Sequence, residues 1–266
     1  MDQVLSDVGT EQVTPPRDTI GMRYKVMAII APIVSFLPIP LDAWLQFSHT
    51  DKQSTGGHQY GKTYHRVLKR FKYKPVRFLE IGIGGYHGRM GGGSLSCWRS
   101  FFPFGRIVGA DIVDKRALKA PGVSVHILDQ SKDDQLLALN QEEGPFDVVL
   151  DDGSHINEHQ IDTFKVLFPK LKDRGVYIIE DVQTSYWDDL GGFPVGHAGS
   201  PQTCMGWFTE LSHYVNYPEF RDLSHADQTR LELGKMIKGI TFEHNLIIIE
   251  KDTAARQSNA DHSASS

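Results

Sequence analysis

Short runs of β-branched and apolar residues recur through the middle of the chain, and each stops at an acid. VRFLEIGIGG (76–85), GRIVGADIV (105–113), SVHILDQS (124–131), PFDVVLDDGSH (145–155) and GVYIIEDVQTSYW (175–187) are near-continuous apolar stretches. That pattern predicts parallel strands covered on both faces. Helical periodicity fills the gaps. Tyr60, Tyr64, Val67, Leu68 and Phe71 mark one helical face, a second helix is expected over 94–102, a third from about Ile156, and MGWFTELSHYVNY (205–217) gives another, with Trp207 and Phe208 in the core. Asp152 or Ser154 could cap the third of these. KGITFEHNLIIIEK (238–251) reads as two strands around a His244–Asn245 turn, an antiparallel hairpin added to the parallel sheet. The expected fold is α/β: a mostly parallel, seven-stranded Rossmann-like sheet with helices on both faces.

The ends of the chain differ from this middle. Residues 1–20 are polar with a Pro15–Pro16 break and are expected to form a flexible arm. Residues 21–50 hold the apolar stretch 27–45, which Pro32, Pro38, Pro40 and Asp42 interrupt. A membrane span is therefore not expected, and packing, an oligomer contact, a lid or peripheral membrane contact remain open for it. Residues 51–251 form the catalytic-sized domain, and 252–266 are a polar tail expected to be disordered. Residues 188–203, rich in Gly, Pro and Asp, read as a long loop at the carboxyl edge of the sheet with a role as a substrate lid.

Composition narrows the chemistry. A net charge of −5 with interspersed acids and bases provides no basic stripe, which argues against a nucleic-acid partner. Cys97 and Cys204 are the only cysteines and have no ligand spacing, so they read as packing residues in a reducing compartment. With no basic leader before an apolar core, a cytoplasmic location is expected.

In an open α/β sheet ligands sit beyond the carboxyl ends of the strands. Asp151, Asp152 and His155 at one strand end are thereby expected to face Glu180 and Asp181 at the next, a carboxylate-rich set suited to Mg²⁺, Mn²⁺ or Ca²⁺. The plainer alternative is that these acids only cap helices and turns. Glu80, Gly82 and Gly84 form E-x-G-x-G, a turn that lets backbone approach a ligand beside a carboxylate. Asp111, about thirty residues on, is placed to accept both hydroxyls of a ribose, and Asp129–Gln130 to read an adenine amino group. Together these predict a nucleoside site.

With these residues in place the chain resembles a class I S-adenosylmethionine-dependent methyltransferase over roughly residues 50–250. LDDGSHINEHQ (150–160) joined to YIIEDVQTSYW (177–187) is similar, more narrowly, to the metal-dependent sugar O-methyltransferases of the mycinamicin and demethylmacrocin type, and to enzymes that methylate sugars of actinobacterial glycolipids and polysaccharides. The resemblance implies Asp152, Glu180 and Asp181 as ligands of Mg²⁺ or Mn²⁺, and His155 as general base. It also implies Glu80, Gly82, Gly84, Asp111, Asp129, Gln130 and Asp152 around S-adenosylmethionine. The implied acceptor is a saccharide, glycolipid or glycosylated small molecule, and a homo-oligomer is expected from the apolar N-terminal stretch. DKQSTGGHQY (51–60) resembles, more loosely, the segment that closes over the cofactor; no contact is assigned within it. His58, His87, His159 and His197 are weaker base candidates. Two alternatives stand beside this reading: a metal-dependent catechol or phenol O-methyltransferase, and a non-catalytic S-adenosylmethionine-binding module.

Overall fold

A computed structural model of the chain describes residues 29–30, 33–48, 50–85, 90–194, 199–254 and 256–258. The expected arm at 1–20, most of the tail, and His87 and His197 lie outside the described residues.

Seven strands make one sheet: β1 Arg77–Ile81, β2 Arg106–Asp111, β3 Val123–Ile127, β4 Val148–Asp151, β5 Val176–Glu180, β6 Ile237–Glu243 and β7 Leu246–Lys251. Their order is β3-β2-β1-β4-β5-β7-β6. The first five are parallel, β7 runs antiparallel to β5, and β6 pairs antiparallel with β7. The hairpin turns at His244–Asn245, with Asn245 left-handed at φ +58°. The α/β sheet and its C-terminal hairpin match the expectation. The order reverses between β1 and β4, where open sheets form a crevice.

Alternation along the strands sorts their side chains into two cores. Phe78, Ile107, Val125, Val148, Leu150, Val176 and Ile178 face one side. There they meet α1 (Leu41–Phe47), α2 (Gly61–Leu68) and α3 (Gly93–Phe101) through Leu45, Tyr64, Leu68, Leu95 and Trp98. Leu79, Ile81, Val108, Val149, Tyr177 and Ile179 face the other side, against α4 (Asp133–Glu143), α5 (Asn157–Leu167), α6 (Cys204–Tyr214) and α7 (Gln228–Met236). Phe164 centres this second core, in ring contact with Phe168, Tyr177, Trp207 and Phe208. Trp207 and Phe208 are thus core residues, as are the free, buried Cys97 and Cys204.

One helix detail departs from the sequence expectation. Helix α5 starts at Asn157 with Ile156 at its N-cap and no side-chain cap, so neither Asp152 nor Ser154 fills that role. The Ser154 hydroxyl instead accepts from the Ile156 amide (3.3 Å), one step short of the helix. Within the apolar 27–45 stretch, Leu41, Trp44 and Leu45 are buried, while Ile33, Phe36 and Leu37 are exposed. Among the described residues no helix is long and apolar enough to cross a membrane.

Candidate active site

The period of two that builds the cores also places the acids. Glu80 lies two residues beyond Phe78, Asp111 four beyond Ile107, Asp152 two beyond Leu150 and Glu180 two beyond Ile178, so all four belong to the α1–α3 side. Asp151 has the opposite parity and is buried on the far side, where it accepts from Gln130 Nε2 (2.6 Å) and Tyr177 Oη (3.3 Å). Burial pushes its pKa up to about 7. The expectation that Asp151 joins Asp152 is therefore corrected: neighbours in a strand cannot share a face.

Beyond the strand ends, Asp152, His155 and Asp181 converge. A ligand atom from each lies within 4.8 Å of the others, and His58, Glu180 and Asp181 form a second such set. His155 Nε2 is 3.9 Å from Asp152 Oδ1 and 3.7 Å from Asp181 Oδ2. His155 and Asp181 both have left-handed backbones, at φ +56° and +54°. That conformation is uncommon for residues with a Cβ and is found at sites where the surroundings impose it. It turns both side chains back toward the crevice. The Tyr60 hydroxyl donates to Asp181 Oδ1 (2.8 Å), and His58 Nδ1 stands 3.4 Å from the same oxygen.

Glu180 is held differently. The Tyr64 hydroxyl donates to its Oε1, and the Lys52 ammonium to its Oε2 (2.9 Å). Gln160 Nε2 fixes the Glu180 backbone carbonyl (2.9 Å). Lys52 also donates to Asp152 Oδ2 and lies 3.9 Å from Glu80 Oε1. It is 2% exposed. Burial opposes its charge, but Asp152, Glu180 and Glu80 outweigh burial and hold its pKa well above the usual lysine value. Burial first, and Asp152 beside it second, push the Glu180 carboxyl up; Lys52 works against that rise.

Of the cofactor candidates, Glu80 is fully buried, its Oε2 accepting from Ser94 Oγ (2.8 Å) and Trp98 Nε1 (3.1 Å). Burial raises its pKa to about 7. Gly82 and Gly84 are left-handed, at φ +77° and +66°; a Cβ on Gly84 would meet nothing within 4 Å. Asp111 Oδ2 accepts from the Ile83 amide (3.1 Å) and the Lys115 ammonium (2.7 Å). Lys115 also donates to the Gly84 carbonyl, tying the glycine turn to β2. Asp129 is half-buried and accepts from the Ser131 amide and hydroxyl. Gln130 is committed inward on both atoms, to Asp151 and, through Oε1, to the Ser154 amide (2.9 Å), so it joins the β3 and β4 ends.

Sequence reasoning missed Lys52, Lys115, Tyr60, Tyr64 and Asn157. Tyr60 and Tyr64 carried a helical-face signal, though nothing showed where their hydroxyls go. Asn157 is buried and fully used: Nδ2 donates to the Thr184 and Leu190 carbonyls (3.0 and 2.9 Å), and Oδ1 accepts from Ser185 Oγ (3.0 Å) and the Cys204 amide (2.6 Å). It pins the described part of the 182–204 loop to the start of α5.

No family model matches the chain. It is 37% identical over 199 residues to mycinamicin VI 2''-O-methyltransferase of Micromonospora griseorubida, covering 73% of this chain and 48% of that one. It is 41% identical over 197 residues to a Streptomyces olivaceus enzyme, 8-demethyl-8-(2-methoxy-alpha-L-rhamnosyl)-tetracenomycin-C 3'-O-methyltransferase, covering 73% and 49%. Among solved structures, MycE methyltransferase from the mycinamycin biosynthetic pathway, in complex with Mg, SAH and mycinamycin VI, superposes with a TM-score of 0.71 at 33% identity, covering 80% of this chain and 55% of that one. The chain spans about half the length of the curated relatives it matches. Strand order, the acid-tipped β1, β2, β4 and β5, and this similarity agree: the chain has the class I S-adenosylmethionine-dependent methyltransferase fold and is a relative of the natural-product sugar O-methyltransferases.

Proposed function

We propose that the chain is an S-adenosylmethionine- and divalent-metal-dependent O-methyltransferase that methylates a sugar hydroxyl of a saccharide, glycolipid or glycosylated natural product. The observation that carries this reading is the convergence of Asp152, His155 and Asp181 within 4.8 Å at the carboxyl ends of β4 and β5. The donors fit a hard cation: carboxylates dominate, neither candidate ligand set here contains a cysteine, and Asp152 Oδ1 and Asp181 Oδ2 face His155. Asp152, Glu180 and Asp181 would hold Mg²⁺ or Mn²⁺. When bound, that ion would orient neighbouring sugar oxygens and stabilise the charge that develops as the hydroxyl is deprotonated.

The chain's own groups supply the rest. An aliphatic hydroxyl is barely ionised at neutral pH, so the reaction needs a base in reach of it. His155 Nε2 is that base in this reading, beside the acids that would grip the acceptor. The sulfonium cofactor brings an activated methyl group, so the fold's main task is alignment. The Gly82–Gly84 turn, Glu80, Asp111, Asp129 and Gln130 line the strand ends where it would lie, with Gln130 acting through Asp151 and Ser154. Two buried, free cysteines fit a reducing, cytoplasmic setting. The exposed apolar residues of 29–47 fit an oligomer contact.

The test is transfer of label from methyl-labelled S-adenosylmethionine into glycan and small-molecule fractions, with Mg²⁺ and with chelator. Chelator-sensitive label in a carbohydrate is expected, and His155→Ala should lower turnover about a hundredfold or more with cofactor binding kept. Label confined to catechols, or full activity in chelator, would overturn the reading.

A further inference from the structure

The carboxylates assigned to the metal already hold a cation. Lys52 places its ammonium on Asp152 Oδ2 and Glu180 Oε2, and 3.9 Å from Asp51 Oδ1 and Glu80 Oε1. The other oxygen of Glu180 takes the Tyr64 hydroxyl, so both of its oxygens are engaged. Among the described residues no three-ligand cluster contains both Asp152 and Glu180; Asp181 clusters with one or the other. The lysine bonds to both of them. A divalent ion that draws an oxygen from each must approach the ammonium closely, and two like charges at that separation repel strongly in a buried site.

We propose that Lys52 is a built-in competitor for the divalent ion: its ammonium and the metal are alternative partners of the Asp152–Glu180 pair. This rests on the metal-dependent reading above. Its physical basis is that Glu80, Asp152 and Glu180 crowd one sheet face and need a positive partner whenever no metal is bound, because buried carboxylates left unpaired are costly. Lys52 meets that need from a segment that closes on itself through His58 N–H to Asp51 O (2.7 Å) and Gln59 N–H to Gln53 O (3.1 Å), and that also carries Tyr60 to Asp181. A shift of the lysine side chain is therefore the step that admits the ion. Metal affinity is then lowered by the fraction of molecules in which the lysine has left: if one in ten is metal-ready, the apparent affinity falls about tenfold.

The experiment measures Mn²⁺ binding by the electron paramagnetic resonance of free Mn²⁺, for the wild-type chain and for Lys52→Met. It is paired with mass-spectrometric acetylation footprinting of the wild type with and without Mn²⁺. The expected result is about tenfold or tighter Mn²⁺ binding by Lys52→Met, together with increased acetylation of Lys52 when Mn²⁺ is added and no change at Lys115, which is paired with Asp111 instead. Equal or weaker binding by the folded variant overturns the proposal. So does tighter binding without a footprint change, since that would be charge removal at a distance rather than displacement. If Lys52→Met does not fold, the wild-type footprint decides, and unchanged Lys52 labelling overturns the competition. Absence of Mn²⁺ binding by both proteins would instead defeat the metal reading itself, and the competition with it.

Discussion

Gly82 and Gly84 differ by one residue of separation and share a left-handed backbone, yet alanine at each should fail in a different way. An L-residue in that conformation costs about 1–2 kcal/mol. At Gly84 that is the whole structural cost, because its Cβ would meet nothing within 4 Å. At Gly82 the Cβ would overlap the Asp152 carbonyl oxygen, lie 2.6 Å from the carbonyl carbon and 2.8 Å from Gly153 Cα. Ordinary contact begins near 3.4 Å and the carbonyl oxygen is the deepest overlap, so β1 and the β4 end must part by about 1.5 Å, against backbone rather than a flexible side chain. The Asp152 amide bonds to the Ile81 carbonyl at 2.9 Å, and this separation would break or bend that link. Backbone strain and a weakened hydrogen bond together predict roughly 2–4 kcal/mol of destabilisation for Gly82→Ala. Displacing Asp152 by about 1 Å can cost on the order of a hundredfold in turnover. Gly84→Ala should lose only about 1–2 kcal/mol and instead weaken S-adenosylmethionine binding, since its methyl projects into the open space above the turn. Thermal unfolding, calorimetric cofactor titration and metal-dependent methyl transfer on both variants make the comparison. Equal unfolding temperatures for the two, or Gly82→Ala with wild-type turnover, would refute the reasoning.

Two further outcomes can be checked away from the chemistry. Asn157→Ala should destabilise the fold by roughly 3 kcal/mol, because it leaves the Cys204 amide and the Leu190 carbonyl without their partner and the Thr184 carbonyl with the Trp187 amide alone; limited proteolysis should then cut within 182–203 faster than in the wild type, and unchanged cutting would remove the anchoring role. Glu143 is buried, which opposes its ionisation, but Arg106 (2.7 and 2.8 Å) and His126 (3.0 Å) hold its pKa down to about 2. A carboxyl depressed in the folded state stabilises above its unfolded value of about 4.5 and loses that contribution as pH falls toward 2. With Arg106 half exposed, the contribution is roughly 1–2 kcal/mol. Glu143→Gln should therefore unfold at a lower temperature than the wild type at pH 7, with the gap closing near pH 2; a pH-independent gap would count against the ion pair.

Much of this molecule was legible in its sequence. Apolar runs with β-branched residues, stopped by acids at βα spacing, identified β1 to β5, and the His244–Asn245 turn identified the hairpin, because local backbone preferences and burial act within a few residues. The same runs concealed which acid faces which way. In strands buried on both sides, apolar composition is uniform, so nothing local distinguished Asp151 from Asp152, and only the packed sheet with its two cores assigns Asp151 to Tyr177 and Asp152 to the crevice. His155 and Asp181 could be named as a candidate pair, but the left-handed backbones that aim them come from the surrounding structure. The partners of the acids were the least legible. Lys52 reaches Asp152 across 100 residues and Glu180 across 128, and Tyr64 reaches Glu180 across 116. A buried charge takes whichever opposite charge the tertiary fold brings within about 3 Å, and a sequence carries no local trace of that choice. The sequence by itself therefore determined the strands, their order of chemistry and the acids on their tips; the tertiary structure alone decided how those acids are paired, oriented and held.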